Sequence, residues 1–472
     1  MIRKVKFVEP VKVYNMIKDE IDAAYFEVMS KGDLIDRGQL KSFEENLAKF
    51  VGTKYAVGLN SGYDALHISL RAAGIGPGDE VIVPAHTFVA SCSAIVNVGA
   101  TPVLVDVGKD FNIDCEKVEE ILEDRRQKAE GRSQKAGDRR QKQGDRRQES
   151  GDRRQKQGDR RQKTGDRRQE QGDGRQETGD RRQETEDRRQ KTEARRQEQG
   201  DRRQETGGKI KGIMAVHLSG YMADMVRVME IAKKHNLIVI EDACQSLGSS
   251  MINQKTGDRR QEIGDRSQES GEKRMAGAWG LTGCWSFYPF KILGGYGDGG
   301  AITTNDPDVA LFATRMRYNG EDRDTGEYHG HGFTCLLDNM QAAFLDVKLR
   351  YLPSWIVRRK EVAERYRQAL SDLPDLLLPH YDDRRRDHIY QNYTLRSKQG
   401  SEFSDFLKAN GIEVLTQFRK PYYKHEALQL EDRGFPETEA LSREVCSLPM
   451  NVEISDDEID YVVEVVRKFY RK

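Results

Sequence analysis

The residues that most constrain this chain are ones that cannot fold into anything by themselves. From Glu123 to Thr206 the sequence is twelve consecutive seven-residue units, beginning EDRRQKA, EGRSQKA, GDRRQKQ and GDRRQES. A period of seven is the spacing of a coiled coil, but a coiled coil needs apolar side chains at its a and d positions. Here the only apolar side chains are three alanines, and most units contain glycine. With nothing to bury, the ordering entropy is not offset. Residues 123–206 are therefore expected to be a disordered, mixed-charge insertion. The unit recurs at Gly257–Ile263 and Gly264–Ser270, within a second insertion of about 254–273. One repeat interrupting a chain twice reads as acquired sequence rather than architecture. An Arg-rich RNA-binding tract is the functional alternative. Aromatic residues are not interleaved, however, and acidic residues nearly balance the arginines. Long surface loops are tolerated because closure entropy grows only logarithmically with length. Setting both tracts aside leaves about 370 residues, enough for one large and one small domain.

The repeats also distort the composition. Of 472 residues, 33% are charged and 36% hydrophobic, a polar average for a globular protein. The 78 Lys and Arg match the 78 Asp and Glu, which argues against a globally basic partner for nucleic acid or membrane surfaces. No apolar run approaches the roughly 18–20 residues that span a bilayer. The opening MIRKVKFVEP lacks the apolar centre of a signal peptide. Cys92, Cys115, Cys244, Cys284, Cys335 and Cys446 are scattered without a CxxC pair. That pattern suits reduced thiols in a cytoplasmic protein, with no metal framework.

Outside the repeats, strand and helix patterns alternate. Tyr55–Asn60, Glu80–Ala85, Thr101–Val107, Lys211–His217 and Leu237–Ala243 read as strands. Tyr63–Ala73, Thr87–Val98, Cys115–Leu122 and Met222–Asn236 read as the helices between them. Apolar strands separated by helices predict an α/β fold with a mostly parallel sheet covered on both faces. Residues 1–350 are expected to form this large domain. Residues 351–472, with helices at Trp355–Leu370 and Ser404–Asn410 and a strand at Ile389–Arg396, are expected to form a smaller α+β domain.

Three sites on this frame carry chemistry. Lys291 follows an apolar strand in Ser286-Phe-Tyr-Pro-Phe-Lys291 and leads into the glycine-rich stretch before Ala301–Asn305. A sheltered lysine tends toward the neutral, nucleophilic amine. The glycines do not form a dinucleotide fingerprint, because a strand pattern follows them instead of a helix. Asp242 ends an apolar strand, where parallel sheets place their ligands, although it could equally cap the next helix. Asn60-Ser61-Gly62-Tyr63-Asp64 turns from a strand into a helix start, which is a ready anion site. A phosphate cradle, a strand-end carboxylate and an amine are together the parts that pyridoxal 5'-phosphate requires.

With these residues in view, the sequence resembles the DegT/DnrJ/EryC1/StrS sugar aminotransferases, which have the fold-type I PLP-dependent architecture. The resemblance rests on GIGPGDEVIVPAHTF (74–88), GATPVLVDV (99–107), AVHLSGYMADM (215–225), EDACQSLGS (241–249), SFYPFKILGGYGDGGAITTND (286–306) and DNMQAAFLDVKL (338–349). It covers nearly all of the chain outside the repeats. It implies that Lys291 carries the cofactor as an imine and shuttles the proton. It implies that Asp242 pairs with the pyridine nitrogen, that Gln245 lies near the phenolic oxygen and that Phe88 stacks on the ring. Ser286 and the amides of Gly62 and Tyr63 would hold the phosphate. His217 falls at a strand end near the cofactor, and as a lone histidine could equally be a satisfied core residue. His329 and His331 lie in a Gly-rich loop that could reach a partner subunit's site; a metal pair there lacks a third ligand.

Some positions depart from the family. Tyr63 stands where the family commonly has Thr. Thr334 replaces an Asn that reaches the phosphate of the partner subunit, and Leu336 replaces an Arg. The resemblance implies transfer of an amino group from an amino acid, L-glutamate, to a nucleotide-linked keto-sugar. The form of the Lys291 loop points to a dTDP-3-keto-6-deoxyhexose, with UDP-linked and C4-keto sugars as alternatives. It further implies a homodimer with its site at the subunit interface. A non-catalytic regulator or scaffold with partner-binding repeats is the reading from another class.

Overall fold

The computed structural model describes residues 4–128, 130–131, 208–253, 271–379 and 383–471. The chain divides into two compact units, Met1–Val118 with Lys209–Lys472, and Glu119–Gly208.

In the first unit the alternating apolar runs become strands β1 (Tyr55–Leu59), β2 (Asp79–Pro84), β3 (Thr101–Val105), β4 (Lys209–Val216) and β5 (Ile238–Asp242). Strands β6 (Ser250–Asn253), β7 (Glu272–Met275), β8 (Thr282–Ser286) and β9 (Gly300–Thr304) follow. Seven of these form the central sheet in the order β1-β9-β8-β5-β4-β2-β3. The pairings β3–β2–β4–β5–β8 are parallel, whereas β9 runs antiparallel to both β8 and β1. The mostly parallel sheet expected from the sequence is therefore present. Helices cover it on both faces. Helices Gly62–Ala72, Val89–Asn97 and Pro307–Arg317 bury Ile68, Ile95 and Ala313 against Val57, Val81, Val83, Ile240, Cys284 and Ile302. Helix Met225–His235 buries Val228, Ile231 and Ala232 and packs on β4 and β5.

Helix Asn339–Leu370 has 32 residues and runs through position 350 without a break. Its last turns place Val362, Tyr366 and Leu370 in a second apolar cluster with Tyr393, Leu395, Phe403, Leu407, Val462 and Val466. That cluster lies between a three-stranded antiparallel sheet and two helices. The strands are β10 (Leu376–Leu377), β12 (Tyr393–Ser397) and β13 (Val445–Leu448), and the helices are Gly400–Ala409 and Asp456–Tyr470. The buried carboxylate of Asp106, just beyond β3, accepts from the amides of Glu437 and Thr438 and from the Thr438 hydroxyl. It thereby satisfies the start of helix Pro436–Glu444, where backbone donors lack partners within the helix.

The insertions can now be placed. In the second unit, residues 123–128 and 130–131 are helical, which corrects the expectation of disorder from residue 123 onward. The helix is already running from residue 115, so each added residue costs little. The first repeat, EDRRQKA, has no glycine, and it forms ion pairs Glu123–Arg126 (3.1 Å) and Asp124–Lys128 (2.6 Å). Residues 132–207, which hold the rest of this tract, lie outside the described residues. The second insertion sits at a hairpin tip, because β6 and β7 pair with Asn253 opposite Glu272. Residues 272 and 273, expected to be insertion, belong to strand β7. Residues 254–270 are outside the described ones. β6 also pairs with β11 (Arg386–Asp387).

Two histidines are shut away from water. His86, beyond β2, is 3% exposed, and burial lowers its pKa from 6.5 to about 4. His388 is 9% exposed, and burial lowers its pKa to about 3. Below pH 6.5 the unfolded chain takes up these protons while the folded chain does not. Stability should therefore fall between pH 6.5 and 4, with His86 alone contributing about 3 kcal/mol of loss at pH 4. Melting temperatures from pH 8 to 4.5 should decline less steeply for His86→Gln than for the wild type. Equal slopes would contradict this.

Candidate active site

Successive residues of a strand point to opposite faces, and at the end of β5 this separates two adjacent carboxylates. Glu241 turns to one side and is fully buried. It accepts from the amides of Gly277 (2.9 Å), Trp279 (2.7 Å) and Gly280 (2.8 Å). His217 Nε2 lies 3.0 Å from it. Asp242, on the other face, accepts from Ser91 Oγ at 2.7 Å and from the Cys244 amide at 3.3 Å. Ser91 in turn lies 3.0 Å from the hydroxyl of Thr87, just before the start of helix Val89–Asn97. The buried carboxylate of Asp242 is thus aimed from two directions.

Lys291 lies on the segment that leaves β8. Two of its neighbours are held by one side chain from the C-terminal part of the chain. Gln391 accepts from the Ile292 amide at 2.7 Å and donates to the Phe290 carbonyl at 3.0 Å. Arg359 donates to the Gln391 and Tyr390 carbonyls. Lys348 donates to the Gly294 carbonyl at 2.7 Å. Among the described residues the Lys291 amine itself has no hydrogen-bond or ion-pair partner. Burial lowers its pKa from the ordinary 10.5, opposed by the nearby Cys244 and Asp242. The Cys244 thiol is itself pushed well up by burial. A sheltered amine thus stands beside a carboxylate and a thiol that stays protonated.

Helix Gly62–Ala72 begins against the same spot. Ser61 caps it, accepting from the Asp64 amide. A Cβ added at Gly62 would lie 2.7 Å from Ser286 Cβ and 2.9 Å from Cys244 Sγ, and one at Gly300 would collide with the Ser61 backbone at 2.3 Å. Only glycine permits the helix start to come this close to Ser286. The first amides of that helix and the Ser286 hydroxyl therefore share one corner, with the helix dipole favouring negative charge there.

Other residues singled out in the sequence fall as follows. Phe88 is 58% exposed, so it is not ordinary core. Gln245 uses its carbonyl oxygen to accept from the Ser219 amide and lines a cavity of about 580 Å³ together with Lys291. The Tyr63 hydroxyl accepts from Asn97, so this side chain turns away from Ser286 while its amide stays in the first turn. His217 is fully buried, with Nδ1 accepting from the Ala223 amide and Nε2 on Glu241, so both ring nitrogens are engaged. His329 and His331 are exposed. The Thr334 hydroxyl donates to Asn319, and Leu336 pairs with Leu59 at the end of β1. Among the described residues no cluster could hold a metal ion. Sequence reasoning missed Ser91, Gln391 and the role of Glu241. Ser91 had a signal, its place four residues after Thr87 at the start of a helix pattern, although the helix itself begins only at Val89. Gln391 had none, because it reaches Lys291 across a hundred positions.

The comparisons with known proteins agree with this geometry. Residues 15–129 and 202–467 match the DegT/DnrJ/EryC1/StrS aminotransferase family, leaving out most of the first repeat tract. The chain belongs to that family. It is 30% identical to the pleiotropic regulatory protein of Geobacillus stearothermophilus, over 97% of this chain and 96% of that one. It is 29% identical to the dTDP-3-amino-3,4,6-trideoxy-alpha-D-glucose transaminase of Streptomyces venezuelae, over 99% and 96%. The crystal structure of S. venezuelae DesV in complex with a ketimine intermediate superposes with a TM-score of 0.74 at 28% identity, covering 99% of both chains. The chain is therefore an aminotransferase of fold type I, and its cofactor is pyridoxal 5'-phosphate. The residues present suit that cofactor: a cradle that a Cβ at Gly62 would fill, a partnerless amine at Lys291 and an aimed carboxylate at Asp242.

Replacing Glu241 by Gln tests the support behind Asp242. The amide nitrogen would face a backbone donor or the His217 ring, leaving a buried donor unmet at a cost of about 2–3 kcal/mol. The variant should melt lower and release the cofactor on dialysis faster than the wild type. Wild-type stability and retention would refute the supporting role.

Proposed function

We propose that this aminotransferase moves an amino group from L-glutamate to a nucleotide-linked keto-sugar, a dTDP-3-keto-6-deoxyhexose, in the making of amino sugars for a surface polysaccharide or glycoconjugate. The observation that carries this reading is the half-buried, partnerless amine of Lys291 near Asp242. When bound, the cofactor supplies an electron sink for the carbanion left when a substrate C–H bond is broken. Lys291 would act as the base and acid that takes and returns that proton, a role helped by a pKa below that of a free lysine. Asp242, fixed by Ser91, would sit against the pyridine nitrogen. Gln245 would stand near the phenolic oxygen and Phe88 over the ring. Ser286 and the amides of Gly62 and Tyr63 would take the phosphate.

The choice of a dTDP-linked 3-keto sugar is supported by the S. venezuelae relative and by the form Lys-x-Leu-Gly-x-x-Gly-Asp-x-Gly after Lys291. UDP-linked and C4-keto sugars are the alternatives. We further propose a cytoplasmic homodimer, consistent with described helices that are nowhere long and apolar enough to cross a membrane. Exposed Phe88, Tyr288, Phe290, His329, His331 and Thr334 would face the subunit interface. The division between a large domain and a small one near residue 350 would then fall inside a shared helix. The regulatory relative from G. stearothermophilus favours a second reading, in which the chain also serves as a regulator.

Purified enzyme should be offered L-glutamate with dTDP- and UDP-linked 3-keto and 4-keto hexoses, and the products identified by mass spectrometry. We expect amino-sugar formation with at least one dTDP-linked 3-keto substrate, and a loss of about 1,000-fold or more in Lys291→Ala. No amino sugar from any of these substrates would refute the proposal.

A further inference from the structure

The Lys291 segment separates two cavities. One holds Gln245 and the Lys291 side described above. The other, about 250 Å³, lies under the N-terminal segment and is lined by Lys348, Trp355, Arg359, Asn451 and Glu453. Phe290 and Lys291 line both cavities, whereas none of Phe88, Asp242, Gln245 or Ser286 borders the second. We propose that this second cavity is a binding site for a small zwitterion of the α-amino-acid class.

Its polar wall is built and unmet. Both carboxylate oxygens of Glu453, the Nε of Arg359 and the Oδ1 of Asn451 are buried and have no partner among the described residues. Arg359 is only 7% exposed. Its Nη1 is spent on the Tyr390 and Gln391 carbonyls, while Nε has no partner among the described residues. Buried polar atoms are normally paired, so several unpaired ones around a single space call for an occupant. Lone ions suit the wall poorly. A cation would face Arg359 and the Lys348 ammonium, and an anion would face Glu9 and Glu453, the latter with its pKa raised by burial to about 7. A molecule carrying both signs meets each wall with its opposite: a carboxylate toward Arg359 and an ammonium toward Glu453 and Asn451. Val13, Trp355 and Val452 leave apolar wall for a short aliphatic side chain. The volume lies just below that of ordinary drug-sized pockets, roughly 300–1,000 Å³, and suits one amino acid rather than a nucleotide-linked sugar.

Location gives the site a consequence. Arg359 holds the carbonyl of Gln391, and the Gln391 amide holds both neighbours of Lys291. A ligand on Arg359 is therefore joined through Arg359 and Gln391 to the two chain neighbours of the reactive lysine.

Cofactor-loaded enzyme should be titrated with L-valine by calorimetry. Saturable binding of one molecule per chain is expected, weakened at least tenfold in Glu453→Gln, with the visible spectrum of the cofactor unchanged on binding. If Glu453→Gln melts far below the wild type, Val13→Trp, which fills the cavity, serves instead and should abolish binding. Three results would overturn the proposal. One is the absence of saturable heat at millimolar L-valine. Another is binding that survives these substitutions or alters the cofactor spectrum, which places valine at the reactive face. The third is a crystal structure at the same concentration with only ordered water between Arg359 and Glu453. None of these bears on whether Lys291 holds the cofactor.

Discussion

The site depends on two adjacent carboxylates at the end of one strand facing opposite ways. Glu241 takes three backbone amides and abuts a histidine on one side, which ties the loop at 277–280 to β5. With Glu241 anchored, strand geometry leaves Asp242 on the other face, where Ser91 fixes its orientation. The buried acid that touches no reactant thus sets the direction of the one that would. A similar logic holds Lys291. Its backbone neighbours are gripped by Gln391, while the amine at the end of its flexible stem is left without a partner.

Much of this was legible in the residues. Strands buried on both faces must be apolar throughout, so β2, β4 and β5 announced themselves, and the turn at Asn60–Asp64 marked an anion site at a helix start. The chemistry of Lys291, Asp242 and Ser286 was readable because each sits next to a strand end in an unmistakable local pattern. What could not be read was anything carried by distant contacts. Gln391 is an ordinary polar residue until folding brings it to Phe290 and Ile292. The ring of Phe88 could have been core, and only its exposure of 58% decides otherwise. His217 could have faced a ligand, yet Ala223 and Glu241 engage both of its nitrogens.

The repeat tracts illustrate the same limit from the other side. Composition offers them almost no apolar side chains for a core, but the helix upstream carries on into the first repeat through Lys128, because continuing a helix is cheaper than starting one. The second tract joins two paired strands at a hairpin tip, and added length there leaves the ladder between Ser250–Asn253 and Glu272–Met275 intact.

The most direct test of the account is chemical. Enzyme incubated with pyridoxal 5'-phosphate and reduced with borohydride should carry a single pyridoxyl group, and peptide mass spectrometry should locate it on Lys291. Modification of another lysine, Lys348 included, or no stable adduct at all, would contradict it.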